Sequence, residues 1–273
     1  MEINGREIAL KIRQEIIEEL KVLQKKGVFP KIAVITLGPE DTWQTYVNQK
    51  LKFANELKIK TLLINLSHSE AKTLFDIVSK LDEDKNVHGI IIQRPVPENI
   101  DREKLINSIS AIKDIDGFRQ DSLFEVPAWL AVKKIIEQTR GELNNKKVVV
   151  IGKGETAGGP VIKGLKKIGV DPIVIDSKTE NQKEKLRDAD IIISAVGKTI
   201  INTKQLKRNA LLIGIGVHRE NGKLFGDYLE NEAINGKDYT PTPGGVGPIN
   251  LAFLFKNLTA AASLSVDKKA QPL

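Results

Sequence analysis

The alternation of helical and strand-like apolar patterns along the chain is the feature that most restricts its fold. Ile8, Ile12 and Ile16 recur at helical spacing, and the run Lys31–Leu37 after them has the continuous apolar character of a buried strand. Patterns of both kinds follow one another over most of the remaining length. Because parallel strands need a crossover segment that is usually a helix, this order predicts a mainly parallel β-sheet covered by helices. We therefore predict an α/β protein.

The predicted elements form two groups, with a boundary near residue 120. The elements of the first group are helices at 8–23, 41–57, 69–81 and 101–109 and strands at 31–37, 61–66 and 87–93. The elements of the second group, after a loop at 111–118, are a helix at 130–139 and strands at 147–151, 172–175, 191–196 and 211–215. We expect a last helix, at 250–264, to pack back on the first group. Four short apolar strands separated by helices or loops suit a Rossmann-type half. A chain of 273 residues is long enough for two domains.

The composition excludes several kinds of site. The chain has no cysteine, so thiolate catalysis, disulfides and cysteine-bound metals are impossible. Its three histidines are scattered in the sequence, and we expect no metal site. The net charge of +7 comes with lysines spread along predicted helices and only 5% aromatic residues, so we expect an anionic cofactor or substrate and no nucleic acid.

The apolar runs and the first residues also indicate where the protein acts. No apolar run approaches the roughly 18 to 20 residues of a membrane helix, and the first ten residues lack the layout of a secretory signal. We therefore expect a cytoplasmic protein without a membrane segment.

A glycine-rich turn follows the predicted strand 147–151. Gly152, Lys153 and Gly154 open it, and glycines there allow a tight turn whose following helix offers free N–H groups to a pyrophosphate. The spacing is GxGxxxG, so a turn without a ligand is the alternative. Asp176 ends the next predicted strand, where an acid bonds the 2′-hydroxyl of an adenosine ribose, whereas Ser177 beside it suits a 2′-phosphate. The residues alone leave NAD and NADP open.

A tyrosine and a lysine share one face of the predicted helix 41–57. Tyr46 and Lys50 are four residues apart, so the phenol and the ammonium can reach the same cleft. An ordinary exposed pair is the alternative. Short-chain dehydrogenases also use this spacing, but their dinucleotide glycines precede it, whereas Gly152 follows it here. We therefore exclude that family.

Three further features could contribute to a site. Gln93 ends a predicted parallel strand, where ligands of α/β sheets bind. Asp116 precedes Gly117 and is either a ligand-binding carboxylate or a turn former. The segment 240–248 holds three glycines and three prolines in nine residues, which favours a rigid loop that approaches a ligand closely.

Five motifs together resemble the methylenetetrahydrofolate dehydrogenase/cyclohydrolase family, over about residues 4–258. They are Tyr46-x-x-x-Lys50, the segment GIIIQRPVP at 89–97, KDIDGF at 113–118, GKLFGD at 222–227 and PGGVGP at 243–248. The resemblance implies a split α/β catalytic domain, residues 1–120 and 248–273, with a Rossmann-type parallel-sheet domain that binds NAD(P), residues 121–247. It also implies a homodimer.

The resemblance implies two reactions on tetrahydrofolate one-carbon derivatives. The 5,10-methylene compound gives a hydride to NADP, with NAD as the competing cofactor, and the 5,10-methenyl product is hydrolysed to the 10-formyl compound. Lys50 would be the general acid and base, Tyr46 would orient the folate, Gln93 would hold Lys50 and Asp116 would bind the pterin. The further binding residues implied are Pro243, Gly244 and Gly247 for the folate and Gly152, Lys153, Gly154, Asp176, Ser177 and Val217 for the cofactor.

Several positions depart from the family's usual residues, mainly on the cofactor side. Lys153 and Gly154 replace an arginine and a serine, and Asp176 stands where a histidine is frequent. The segment between Phe118 and residue 130 is also short. Two alternatives follow: a folate cyclohydrolase or folate binder that has lost hydride transfer, and an amino-acid dehydrogenase with the same domain layout.

Overall fold

The chain forms two compact units in the computed structural model, which describes residues 1–39, 43–230, 234 and 236–267. Unit 1 comprises residues 1–10 and 127–250, and unit 2 comprises residues 11–126 and 251–273. The helices are α1 (Gly5–Lys25), α2 (Gln44–Glu56), α3 (Leu74–Glu83), α4 (Arg102–Asn107), α5 (Pro127–Thr139), α6 (Gly158–Lys167), α7 (Gln182–Arg187) and α8 (Val246–Asp267). The strands are β1 (Lys31–Leu37), β2 (Lys60–Leu66), β3 (Gly89–Ile92), β4 (Val148–Ile151), β5 (Ile173–Ile175), β6 (Ile191–Ser194), β7 (Leu211–Gly214), β8 (Val217–Glu220), β9 (Lys223–Gly226) and β10 (Asp238–Tyr239).

Unit 2 is built on a three-stranded parallel sheet in the order β2-β1-β3. The central strand β1 is buried from Ile32 to Leu37, which agrees with its continuous apolar run. Leu74 and Val78 of α3 and Leu105 of α4 pack into the same apolar core as β1 and β3. Since parallel strands share one direction, the segments that follow β1 and β3 leave the sheet at the same edge.

Helix α8 is the long apolar helix of the chain. Among the described residues, its segment 246–266 is the one stretch long and apolar enough to cross a membrane, with half of that window buried inside the structure. The expectation that no apolar run reaches this length was therefore wrong, because a helix packed in a core is apolar nearly all round. Within unit 2, Phe255 and Leu258 are fully buried, and Lys256 forms ion pairs with Glu15 and Glu19 of α1.

Unit 1 contains a five-stranded parallel sheet in the order β10-β7-β6-β4-β5. Numbered from β4, this is the doubly wound order 2-1-3-4-5, in which the direction of strand addition reverses between β4 and β6. The sequence predicted four of these strands and missed β10. It also missed the antiparallel hairpin β8–β9, whose turn residues Asn221 and Gly222 both have positive φ.

Other element boundaries differ from the prediction. Helix α5 begins at Pro127, three residues early, because proline is well suited to the first helical position. The predicted helix 69–81 divides into a 3₁₀ segment, His68–Thr73, and α3. Helix α2 begins at Gln44, and residue 41, where its start was predicted, lies outside the described residues. Helix α8 begins at Val246, four residues before its predicted start.

Candidate active site

Helix α2 presents Lys50 and Tyr46 on one face. Val47 and Ala54 are buried on the adjacent flank of the helix, which fixes its rotation about its axis. Tyr46 is 49% exposed and Lys50 is half-buried. The helix therefore offers an open phenol and a partly desolvated amine to the same region of unit 2.

Gln93 meets Lys50 at the carboxyl edge of the sheet. The backbone N–H of Gln93 donates to the carbonyl of Ile35 in β1 at 2.8 Å, so the residue is held just beyond β3. Lys50 Nζ donates to Gln93 Oε1 at 2.7 Å, and Gln93 Nε2 donates to the carbonyl of Arg94 at 3.0 Å. The second bond orients the amide, so that its oxygen faces the lysine.

The loop that carries Asp116 is held by the residues around it. Asp114 forms the turn, since its carboxylate accepts the N–H groups of Gly117 at 3.1 Å and of Arg119 at 2.8 Å. From α8, Asn257 Nδ2 donates to the carbonyl of Ile115 at 2.9 Å. Gly117 has a φ of +73°, and a Cβ there would lie 2.7 Å from the carbonyl oxygen of Phe124. The role of turn former thus belongs to Asp114.

Burial shifts the pKa of both ionisable groups in this site. It lowers the pKa of the Lys50 ammonium, and the charge of Asp116 opposes that shift. It raises the pKa of Asp116 to about 6. The positive charges of Lys50 and Arg94 oppose this rise, and the negative charge of Asp114 adds to it. The lysine can therefore lose its proton more easily than a free amine. The aspartate changes its charge close to neutral pH.

A small cavity of about 30 Å³ lies beside Asp116 in unit 2. Ile90 and Leu105 contribute to its apolar wall, and Arg94 and Phe118 also line it. The Arg94 guanidinium lies 5.0 Å from the centroid of the Phe118 ring. Arg94 is therefore held against Phe118 beside Asp116.

The glycine-rich turn of unit 1 has the shape of a phosphate cradle. Gly152 has a φ of +87°, and a Cβ on Gly158 would collide with the backbone of Gly152. Helix α6 starts at Gly158, and within the described residues its N-cap residue, Ala157, makes no side-chain cap hydrogen bond. The N–H of Gly159 donates to the carbonyl of Gly154 at 2.9 Å, and Pro160 has no N–H. The close backbone approach at the start of α6 fits a dinucleotide pyrophosphate.

An ion pair stands where the adenosine ribose of a dinucleotide binds. Lys153 Nζ lies 2.8 Å from Asp176 Oδ2, just after β5. The hydrogen bond from Lys153, followed by those from the Lys178 N–H and the Thr179 hydroxyl, lowers the pKa of Asp176 to about 2. Ser177 beside it is exposed. The turn therefore presents a firmly ionised carboxylate together with a cation.

The remaining predicted residues also belong to unit 1. Val217 is half-buried at the start of β8. Gly244 has a φ of +117° in the turn before α8, and a Cβ there would lie 3.4 Å from Arg6 Nε. Pro243 precedes it, and Gly247 lies in the first turn of α8; both are exposed. The structure thus brings Lys50, Gln93 and Asp116 together in unit 2 and Gly152, Lys153 and Asp176 together in unit 1.

Sequence reasoning missed three residues that shape these sites. Arg94 follows Gln93 directly, and Asp114 stands two residues before Asp116, so proximity in the chain was the available signal. Asn257 lies in a different part of the sequence, and its contact with the loop could not be read from spacing. In the described part of the chain, no group of three histidine, aspartate or glutamate side chains could hold a metal ion.

Comparison with known proteins places both units in one family. Residues 3–116 match the catalytic domain of the tetrahydrofolate dehydrogenase/cyclohydrolases, and residues 127–266 match their NAD(P)-binding domain. The bifunctional protein FolD of Campylobacter hominis is 35% identical over 273 residues, which cover 95% of this chain and 96% of that relative.

Solved structures agree with this match. The bifunctional methylenetetrahydrofolate dehydrogenase/cyclohydrolase FolD of Campylobacter jejuni has a TM-score of 0.90 at 30% identity, over 96% of this chain and 98% of that one. The FolD enzyme of Trypanosoma brucei, complexed with NADP cofactor and inhibitor, has a TM-score of 0.90 at 28% identity, over 97% and 98% of the two chains. The α/β fold class and the family predicted from the sequence are confirmed: the chain belongs to the tetrahydrofolate dehydrogenase/cyclohydrolase family and carries both of its domains.

Proposed function

We propose that the protein oxidises 5,10-methylenetetrahydrofolate to the 5,10-methenyl compound with NADP and hydrolyses that product to 10-formyltetrahydrofolate. The observation that carries this proposal is the hydrogen bond from Lys50 Nζ to Gln93 Oε1 next to the half-buried Asp116. A lysine with a lowered pKa and a fixed neighbour is suited to move a proton.

In the hydrolysis, Lys50 acts as both base and acid. Its neutral amine accepts a proton as water adds to the carbon of the methenyl bridge. The ammonium then returns a proton to the ring nitrogen as the carbon–nitrogen bond to that carbon breaks. The hydroxyl that came from water loses its remaining proton to solvent and becomes the formyl oxygen, so the formyl group stays on the other nitrogen. A free lysine has a pKa of about 10.4 and is a poor base at neutral pH, so the desolvation of Lys50 is essential. Gln93 keeps the amine in place through both steps.

Asp116 and Tyr46 bind the folate. A carboxylate accepts two parallel N–H bonds from an aminopyrimidine edge in the way that it accepts them from arginine. Asp114 and Asn257 fix the loop that carries Asp116. Because the pKa of Asp116 is raised to about 6, its carboxylate form, which accepts these bonds, prevails above about pH 6. Tyr46, exposed on the same helix face as Lys50, packs on the folate and orients it.

The residues of unit 1 fit a dinucleotide. Gly152, Lys153 and Gly154 would hold the pyrophosphate, Asp176 and Ser177 the adenosine ribose, and Val217 would contact the bound cofactor. The cofactor supplies the hydride acceptor, and the protein's contribution is to hold the two reacting carbons together. The pair of Lys153 and Asp176 favours a site that accepts NADP but discriminates weakly against NAD, because a carboxylate repels a 2′-phosphate.

The domain division, partners and assembly are part of the same proposal. The catalytic domain comprises residues 1–120 and 248–273, and the dinucleotide-binding domain comprises residues 121–247. Pro243, Gly244 and Gly247 contribute to folate binding. The enzyme acts as a cytoplasmic homodimer on free tetrahydrofolate derivatives, without nucleic acid or membrane. The family supports the dimer, and a solution mass of twice 30.2 kDa by light scattering tests it.

A spectrophotometric assay tests the two activities separately. We expect reduction of NADP, and slower reduction of NAD, by methylenetetrahydrofolate, and in a second cuvette the loss of methenyltetrahydrofolate absorbance. Hydrolysis without reduction of either cofactor would instead favour the folate cyclohydrolase, an alternative that the departures at Gly154 and Asp176 motivate. Absence of both activities would refute the proposal.

A further inference from the structure

Asp227 is a fully buried carboxylate that the proposed mechanism does not use. It follows β9 and is 0% exposed. Its Oδ1 accepts the backbone N–H groups of Gly197 at 2.7 Å and Lys198 at 3.1 Å, and its Oδ2 accepts that of Val196 at 3.3 Å. Three consecutive N–H groups of one loop therefore converge on one side chain. A buried carboxylate is stable only when it is bonded in this way.

The segment after β9 and the loop after β6 are joined by more than this side chain. The carbonyl of Asp227 accepts the N–H of Ile200 at 3.0 Å, and Thr199 Oγ1 donates to the carbonyl of Gly226 at 2.9 Å. Gly216 leaves room for the arrangement, because a Cβ there would collide with the Asp227 carboxylate and the N–H of Gly197. The position of the loop 195–199 thus depends on Asp227.

This loop lies between two residues assigned to the cofactor. A Cβ on Gly152 would be 3.0 Å from the carbonyl oxygen of Ala195, and one on Gly197 would be 3.2 Å from that of Val217. The loop leaves β6 at the point where the strand order reverses, beside the turn after β4. In a Rossmann unit the adenosine ribose binds after the second strand, here β5, so the other half of the dinucleotide extends over β6.

We propose that Asp227 is a positioning residue for the nicotinamide half of the dinucleotide, acting through the loop 195–199. The inference rests on the proposed binding of a dinucleotide to unit 1. The carboxylate fixes the loop beside Gly152 and Val217, where the nicotinamide half would bind. It does not act on the adenosine half, which Asp176 and Lys153 face on the other side of β4.

Asp227→Asn tests the proposal by calorimetric titration of the whole protein. The amide keeps one oxygen for two of the N–H groups and turns an NH₂ group toward the third, so the loop is displaced while the side-chain volume is kept. We expect the Kd for NADP to rise about tenfold or more, and the Kd for adenosine 2′,5′-bisphosphate to stay within about twofold. Hydrolysis of methenyltetrahydrofolate, carried by Lys50 in unit 2, should be unchanged.

Asp190→Asn is the matched control. Asp190 accepts the backbone N–H of Lys147 at 2.8 Å and the Lys207 ammonium at 2.8 Å, so it also ties β4 and β6 together, but at their amino ends. We expect that variant to bind NADP as the wild type does. If Asp227→Asn does not fold, Gly216→Ala displaces the same carboxylate and should give the same selective weakening of NADP.

Each remaining outcome decides against one of the two proposals. An unchanged Kd for NADP in a folded Asp227→Asn or Gly216→Ala variant would overturn the positioning role. Equal weakening of NADP and of adenosine 2′,5′-bisphosphate would reduce Asp227 to general stabilisation of unit 1 and also overturn it. Failure of the wild type to bind either NADP or NAD would refute the proposed dehydrogenase function, and the positioning role with it.

Discussion

The Lys50 site and the Gly152 turn use different physical means. In unit 2, burial lowers the pKa of Lys50 and raises that of Asp116 to about 6, so both groups are disposed toward their neutral forms. In unit 1, Lys153 is 66% exposed and Asp176 has a pKa of about 2, so both stay charged, and the close contacts are made by the glycine backbone. Proton transfer requires groups that change charge near neutral pH, whereas binding a dinucleotide requires a shaped backbone and fixed charges. The two sites should therefore fail independently and in different ways.

The largest expected effect is on the group that moves protons. We expect Lys50→Met to reduce kcat for methenyltetrahydrofolate hydrolysis by about 10³-fold or more, since general acid–base catalysis contributes about 10² to 10⁴. Folate and NADP should still bind, as measured by calorimetry. Lys52→Met, an exposed position on the same helix, is the control and should keep full activity. Hydrolysis retained by Lys50→Met would remove the lysine from its role.

A backbone substitution should disable the other site alone. In Gly158→Ala the new Cβ would collide with the backbone of Gly152, so we expect NADP binding to weaken by about 100-fold or unit 1 to lose about 2 to 4 kcal/mol of stability. Hydrolysis in unit 2 should persist.

Gly169→Ala is the control at the other end of α6. It adds strain at a φ of +82°, but no heavy atom of the described residues lies within 4 Å of its Cβ. We expect a loss of only about 1 kcal/mol in thermal unfolding and normal NADP binding. Equal effects of the two alanines on NADP binding would show that the turn does not depend on close backbone approach.

The sequence predicted elements well where one apolar pattern decided the structure, as in β1. It failed where the structure depends on residues far apart in the chain. Asp238 and Tyr239 form β10 by pairing with β7, and Tyr239 also bridges Glu2; two residues carry no strand pattern. The residues alone also could not choose between Asp114 and Asp116 as the turn former, because Asn257, 142 positions after Ile115, helps to fix that loop. The pairing of Lys50 with Gln93, 43 positions apart, was expected only through the family resemblance.

The coupling inside the Lys50 site gives a prediction in pH. Asp116→Asn should raise the KM for folate about 10- to 100-fold above pH 7, because a charged hydrogen bond of about 1.5 to 3 kcal/mol is lost. In the wild type this KM should rise as the pH falls through about 6, where Asp116 takes up a proton. Asp116 also raises the pKa of Lys50, so the acidic limb of kcat should move to lower pH in the variant. An unmoved limb would mean that the two charges are not coupled.

The same substitution should alter stability with a definite sign. Asp116 has a folded-state pKa above its usual 3.8, so the folded protein binds that proton more tightly, and its unfolding free energy falls as the pH rises from about 4 to 6. Asp116→Asn removes this loss. The Tm of the Asp116→Asn variant, relative to that of the wild type, should therefore increase as the pH rises from about 4 to 6. Asp121→Asn, an exposed carboxylate paired with Arg119, should lack this trend.

The smallest expected effect concerns the choice of cofactor. In Asp176→Ser, the carboxylate that repels a 2′-phosphate is removed and Lys153 is released from its ion pair, so the ratio of kcat/KM for NADP to that for NAD should rise about tenfold, since exposed charges are screened by solvent. Asp171→Ser, at an exposed carboxylate paired with Lys166, should leave the ratio unchanged. Added salt should reduce the difference between Asp176→Ser and the wild type if charge is its cause. A ratio that rises equally at all ionic strengths would instead indicate that Asp176 acts through its hydrogen bonds to Lys178 and Thr179, which shape the turn.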